Sequence, residues 1–91
     1  MSRVQQGEFS IVNDLGLHAR AASKLVALAN QFDADVWVGR EGQDVNAKSM
    51  LGVLMLACAK GSVVSLRCEG KAASAAYEAI ASLINDGFGE L

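Results

Sequence analysis

Gly16-Leu17-His18-Ala19-Arg20-Ala21-Ala22-Ser23 holds the only histidine of the 91-residue chain and marks the point where an extended run gives way to a helical one. Ahead of it, Phe9 and Ile11 alternate with Glu8 and Ser10, the two-residue period of a strand over about residues 7 to 12. Asn13, Asp14 and Gly16 follow with turn chemistry, Gly16 being free to take positive φ. Behind the stretch, Ala22, Leu25, Val26 and Ala29 recur at helical spacing while Ser23, Lys24 and Asn30 are placed to face water, which predicts a helix from Ala19 to about Phe32. His18 therefore falls at or just before a helix N-terminus, with Arg20 two positions on.

That placement has chemical consequences. The first turn of a helix leaves backbone N–H groups unpaired and carries the positive end of the peptide dipoles, a setting suited to phosphate or carboxylate. Arginine adds a planar fork of donors that fits phosphate oxygens. Histidine supplies a ring nitrogen that is largely neutral, and so nucleophilic, near pH 7. Together these groups suggest a seat where a phosphoryl group rests on His18, its charge received by the helix amides and Arg20.

The rest of the chain alternates in the same way. Asp35 to Gly39, around Trp37, and Gln43 to Ala47 are extended runs joined by a short Gly-containing connection, Arg40-Glu41-Gly42, which predicts a hairpin whose polar second strand lies at a sheet edge. Ser49 is a candidate N-cap for an apolar segment from Met50 to Ala59, with Lys60-Gly61 as its basic last turn and left-handed stop. As a helix this segment is apolar nearly all round, and a domain of this size has nothing thick enough to wrap it. With Val53, Leu56 and Ala57 on the sheet, Met50, Leu51 and Leu54 remain near the surface as a candidate docking patch, where methionine's flexibility suits several partners. Ser62 to Glu69 alternates with Val64, Leu66 and Cys68 on one face, and residues 71 to 86 form an Ala-rich helix stopped by Gly87. Three helices with single apolar stripes and one antiparallel sheet make an α+β domain spanning residues 1–91, the helices covering one face.

Composition removes several classes of function. The chain is 52% hydrophobic and 20% charged with no proline, which argues against disorder, and its net charge of −2 with scattered Lys and Arg provides no field for nucleic acid. No apolar run reaches membrane-spanning length and Met1 to Gly7 is polar, so a cytoplasmic protein without membrane insertion is expected. Cys58 and Cys68 are expected to be reduced core residues; one His and two Cys in no ligand spacing argue against a metal, and Trp37 is expected only to pack. No Gly-x-x-x-x-Gly-Lys-Ser/Thr run is present, so ATP chemistry of its own is not expected. A small regulatory ligand-binding domain of similar strand and helix alternation remains an alternative.

Gly16-Leu17-His18-Ala19-Arg20 after a strand, then a hairpin, Lys48-Ser49-Met50-Leu51-Gly52, and Ala59-Lys60-Gly61 before a strand resemble, over essentially the whole chain, the HPr family of histidine-containing phosphocarriers. Asn85-Asp86-Gly87-Phe88 and Leu54-Met55-Leu56 are similar to its nitrogen-related branch, NPr, whereas Ser49 in Lys-Ser-Met-Leu-Gly is similar to the kinase-regulated branch. The resemblance implies an open-faced two-layer sandwich, β-α-β-β-α-β-α, with four antiparallel strands in the order 1-4-2-3. It implies a carrier rather than an enzyme, needing no cofactor: His18 takes a phosphoryl group from enzyme I, which draws it from phosphoenolpyruvate, and passes it to enzyme IIA domains. Arg20, the Ala19 backbone and the Gly16 turn would then stabilise the group. Leu17, Met50, Leu51 and Leu54 would dock partners, and Ser49 would be the target of an HPr kinase/phosphorylase. An HPr-like or NPr-like regulator acting mainly by binding is the alternative within the family. The family usually has proline after the arginine; Ala21 stands there instead, losing a preset φ and gaining a possible donor.

Overall fold

A computed structural model of the chain describes residues 3–91. Its elements are strands β1 (Val4–Ser10), β2 (Asp35–Arg40), β3 (Gln43–Asn46) and β4 (Val63–Glu69), with helices α1 (Ala19–Ala29), α2 (Met50–Met55) and α3 (Ala73–Asn85) between and after them. The four strands form one antiparallel sheet in the order β1-β4-β2-β3, with Phe9 opposite Val64, Val36 opposite Cys68 and Val38 opposite Leu66. The expected order 1-4-2-3 and one-sided covering by three helices are thus what the chain adopts.

Alternation decides which face is covered. Val64, Leu66 and Cys68 of β4 and Val36 and Val38 of β2 are each no more than 2% exposed, and they meet Leu25 of α1 and Ile80 and Ile84 of α3 in a single core. Burying a side chain such as Leu25 contributes about 1.5–3 kcal/mol. The small residues Ala21, Ala22 and Ala29 of α1 and Ala73 and Ala76 of α3 are fully buried, so the helix backbones can lie close to the sheet. On the opposite face the half-buried Arg67 lies over the Trp37 ring at 5.7 Å and pairs with Glu69 and, at 3.9 Å, Asp44. Trp37 is half-buried on that side.

The hairpin connection is Glu41-Gly42, both with positive φ (53° and 84°), the pairing whose twist matches a two-residue β-turn. β3 is an outer strand, as its polar sequence suggests. Three boundaries differ from expectation by three residues or more. β1 begins at Val4, because the exposed Gln5 and Gln6 pair with Cys68 and Arg67 as backbone on an outer strand, where polar side chains are tolerated. α1 ends at Ala29 with Asn30 as its cap, short of Phe32.

The third difference is the largest. α2 has six residues and ends at Met55 with Leu56 as its C-cap, whereas the sequence predicts a helix to Ala59 closed by Lys60-Gly61. The left-handed residue after the helix is Ala57 (φ 51°), held by Arg40, whose Nη1 donates to the carbonyls of both Leu56 and Ala57 at 3.2 Å. Gly61 instead turns the chain into β4, its N–H donating to Ile11, and Lys60 pairs with Asp14 at 2.8 Å. Freed from the helix, Cys58 is buried and its carbonyl accepts the N–H of Leu17 at 2.9 Å, tying this loop to the start of α1.

Both cysteines are buried and unpaired, and burial raises their thiol pKa values, that of Cys68 to about 11. They are inert core residues at neutral pH.

Candidate functional site

The turn before α1 is built on Asn13 and Gly16. Gly16 takes φ 64°, and a Cβ there would lie 2.2 Å from the carbonyl oxygen of Cys58, so glycine is required by conformation and by space. The Asn13 side chain is fully buried, and its amide nitrogen donates to the Gly16 carbonyl at 2.8 Å, closing the turn from within. His18 is the N-cap of α1 with extended ψ (176°); its carbonyl accepts the first intrahelical bond from Ala22, and its side chain makes no capping bond. The ring is thereby left for other partners, while the amides of Ala19, Arg20 and Ala21 have no carbonyl within the helix to bond. Ala21 is the third residue of the helix, not the first, and is fully buried.

The partner of the ring comes from the far end of the chain. After α3, Gly87–Gly89 form one 3-10 turn in which Phe88 takes φ 58° and drives its side chain, fully buried, into the core. Lys24 of α1 donates to the Phe88 carbonyl at 2.7 Å. Glu90 is thus delivered to the mouth of α1, where Oε2 lies 2.5 Å from His18 Nε2 and Oε1 accepts from Asn13 Nδ2 at 2.9 Å. Hydrogen bonds from Asn13 and then His18 hold the Glu90 carboxyl below the usual carboxylate range. An ionised carboxylate only accepts, so Nε2 bears a proton and Nδ1 is the nitrogen that faces away from Glu90.

Glu90 was not found by the sequence reading, nor was the second role of Asn13. The separation of 72 residues between His18 and Glu90 leaves no local spacing to read. The available signal was Phe88, an aromatic residue after a helix stop, which would have to return to the core.

Arg20 is exposed on the first turn and, with Lys24, Asp14, Leu15 and Glu90, lines a shallow hollow of about 550 Å³. Of the expected docking residues, Leu51 (68% exposed) and Leu54 (37%) are on the surface, Met50 is half-buried against the core, and Leu17 is not available. Leu17 is a correction: at 6% exposed it belongs to the core, because its N–H bond to Cys58 turns it inward. Met55 (73% exposed) was missed; at four residues from Leu51 it extends the same stripe of α2. Ala57, expected against the sheet, is exposed because the helix has already ended. Ser49 is the exposed N-cap of α2, its hydroxyl accepting the Gly52 N–H at 3.3 Å. Among the described residues no group of three or more His, Cys, Asp or Glu side chains is arranged to hold a metal, and no helix is long and apolar enough to cross a membrane.

Residues 5–86 match the family model described as the PTS HPr component phosphorylation site. The chain is 48% identical over 80 residues to a phosphocarrier protein HPr of Neisseria meningitidis, covering 88% of this chain and 90% of that one. It is 42% identical over 83 residues to a phosphocarrier protein NPr of Shewanella violacea, covering 91% of each. Its fold is similar to the crystal structure of HPr-C-His from Thermoanaerobacter tengcongensis, with a TM-score of 0.92, 38% identity, and coverage of 96% of this chain and 98% of that one.

Proposed function

This chain belongs to the HPr family of phosphocarriers of the phosphotransferase system, and from that membership we propose that it carries a phosphoryl group on Nδ1 of His18, received from enzyme I and given to enzyme IIA-type acceptors. The observation that supports this most is the state of His18: at the N-cap of α1, its Nε2 engaged by Glu90, it has one ring nitrogen free to react beside unpaired helix amides.

The chemistry asked of the chain is small. The Nδ1 lone pair forms a bond to phosphorus as the donor's bond to phosphorus breaks, that electron pair leaving with the donor; the proton on Nε2 stays. The phosphoryl oxygens, over which the charge is spread, meet the amides of Ala19 and its neighbours and the Arg20 guanidinium. Passing the group on reverses the step, the electron pair returning to Nδ1. Positioning of donor and acceptor belongs to the partner enzymes, which dock on the apolar stripe of Leu51, Leu54 and Met55. With its partners in the phosphotransferase system, the carrier works in the cytoplasm.

Incubation with labelled phosphoenolpyruvate and a cognate enzyme I should leave an acid-labile phosphate on the chain that an enzyme IIA domain removes. No incorporation would favour the reading of a regulator that acts by binding alone. Presenting the labelled chain to individual acceptor domains would identify the pathway it serves.

Ser49 is the proposed regulatory site. It is exposed, two residues before Leu51, so a phosphate there would bring about two negative charges to the edge of the docking stripe and repel an acidic partner. ATP and an HPr kinase should leave an acid-stable phosphate that Ser49→Ala lacks; equal labelling of that variant rejects the site.

A further inference from the structure

The backbone that follows α2 does not take the conformation its own sequence favours. Met50 to Ala59 is an apolar run whose local preference is a longer helix, yet Ala57 is left-handed (φ 51°), a region that alanine seldom occupies. The constraint is visible on one side of it. Arg40, at the end of β2, donates from Nη1 to the carbonyls of both Leu56 and Ala57 at 3.2 Å, and its charge meets the negative end of the α2 peptide dipoles. On the other side, the same backbone is the floor of the turn that carries His18. The Cys58 carbonyl accepts the N–H of Leu17 at 2.9 Å, and Gly16 lies so close that a Cβ there would come within 2.2 Å of that carbonyl and 2.9 Å of Ala59 Cα. The docking residues Leu54 and Met55 sit just ahead of this joint, whose N–H at Ala57 donates to the Leu54 carbonyl at 3.1 Å.

We propose that Arg40 is a positioning residue for phosphoryl transfer: by holding the carbonyls of Leu56 and Ala57 it keeps Ala57 left-handed, which keeps the Cys58 carbonyl under Leu17 and sets His18 in register with the docking stripe of α2. This rests on the carrier reading and deepens it. Without the clamp, Ala57 relaxes toward the right-handed region, α2 winds on toward Ala59, and the Cys58 carbonyl turns away from the Leu17 N–H. Arg40 does not touch the transferred group; its effect passes through the backbone between Ala57 and Ala59. Glycine at position 57 would make the clamp unnecessary, because it takes the left-handed conformation with no Cβ to oppose it. That dependence on alanine separates a clamp from a side chain that only meets a partner.

The test uses the full chain as wild type, as Arg40→Met, which keeps the aliphatic stem and loses the donors, and as Arg40→Met combined with Ala57→Gly. Exchange of the Leu17 amide with water, read by NMR relative to the Leu66 amide of β4, should quicken about tenfold in Arg40→Met, the scale of one hydrogen bond to a charged group. It should return close to the wild-type ratio in the double variant. With phosphoenolpyruvate and enzyme I, kcat/KM for labelling should fall about fivefold in Arg40→Met and recover when glycine is added. The role is overturned by an unchanged Leu17 ratio or an unchanged kcat/KM in Arg40→Met. Losses that glycine does not restore overturn it equally, since they would make Arg40 a partner contact or a general stabiliser. Should Arg40→Met alone fail to fold, the double variant decides: a chain that folds and labels supports the clamp, and one that does not overturns it. A wild type that takes up no phosphoryl group overturns the carrier reading, while the Leu17 measurement, which needs no enzyme, still judges the clamp.

Discussion

His18→Ala is expected to abolish acid-labile labelling by enzyme I, lowering the rate by three orders of magnitude or more, the scale on which removal of a sole nucleophile acts. The fold should survive the change. The ring makes no capping bond, His18 is only partly buried, and the first helical bond uses its backbone carbonyl, which alanine keeps. What alanine does remove is one of the two partners of Glu90, a part-buried bond whose loss leaves the carboxylate still held by Asn13 and open to water through the space the ring vacates. The urea midpoint should therefore remain close to that of the wild type while labelling disappears. Labelling that persists in a folded His18→Ala protein would place the phosphoryl group elsewhere and remove the basis of the proposed function.

The parts of this molecule that could be read from sequence are those written in short periods. Alternation in Val64-Leu66-Cys68 and the helical spacing of Ala22, Leu25 and Ala29 identified the covered faces, because side-chain direction in a strand or helix follows from position alone. Gly16 was legible for the same reason: the turn demanded positive φ. Where the structure departs from expectation, a distant group has overruled a local preference. α2 stops early because Arg40, on β2, holds the carbonyls of Leu56 and Ala57, so that an alanine takes the left-handed position that glycine usually fills. Leu17 lies beside His18 in sequence, yet the carbonyl of Cys58 turns it inward. Likewise the nucleophile at the start of α1 was visible in one stretch, but the ring nitrogen that faces away depends on Asn13 and Glu90, which meet only after the sheet has closed and α3 has returned the C-terminal turn to α1.

That return depends on one side chain. Phe88 is the largest of the fully buried residues and the last core residue of the chain, so its truncation should be the most damaging single change to stability. Phe88→Ala is expected to cost about 3–5 kcal/mol, from lost burial and the cavity left behind. Against a net stability of roughly 5–15 kcal/mol typical of a domain, that moves the urea midpoint far down and brings the protein near the point where the unfolded form is populated. Strain gives no relief, since alanine at φ 58° carries the same left-handed penalty as phenylalanine. Phe88→Leu keeps most of the apolar volume and should cost about 1.5 kcal/mol or less. The two variants also separate packing from chemistry. In Phe88→Ala the turn loses its anchor and Glu90 leaves Nε2, so any folded protein should show a ring proton that exchanges freely with water; in Phe88→Leu the ring proton should stay as protected as in the wild type. A Phe88→Ala protein whose midpoint hardly moves, or whose ring proton remains protected, would mean that the C-terminal turn is held to α1 by something other than the core.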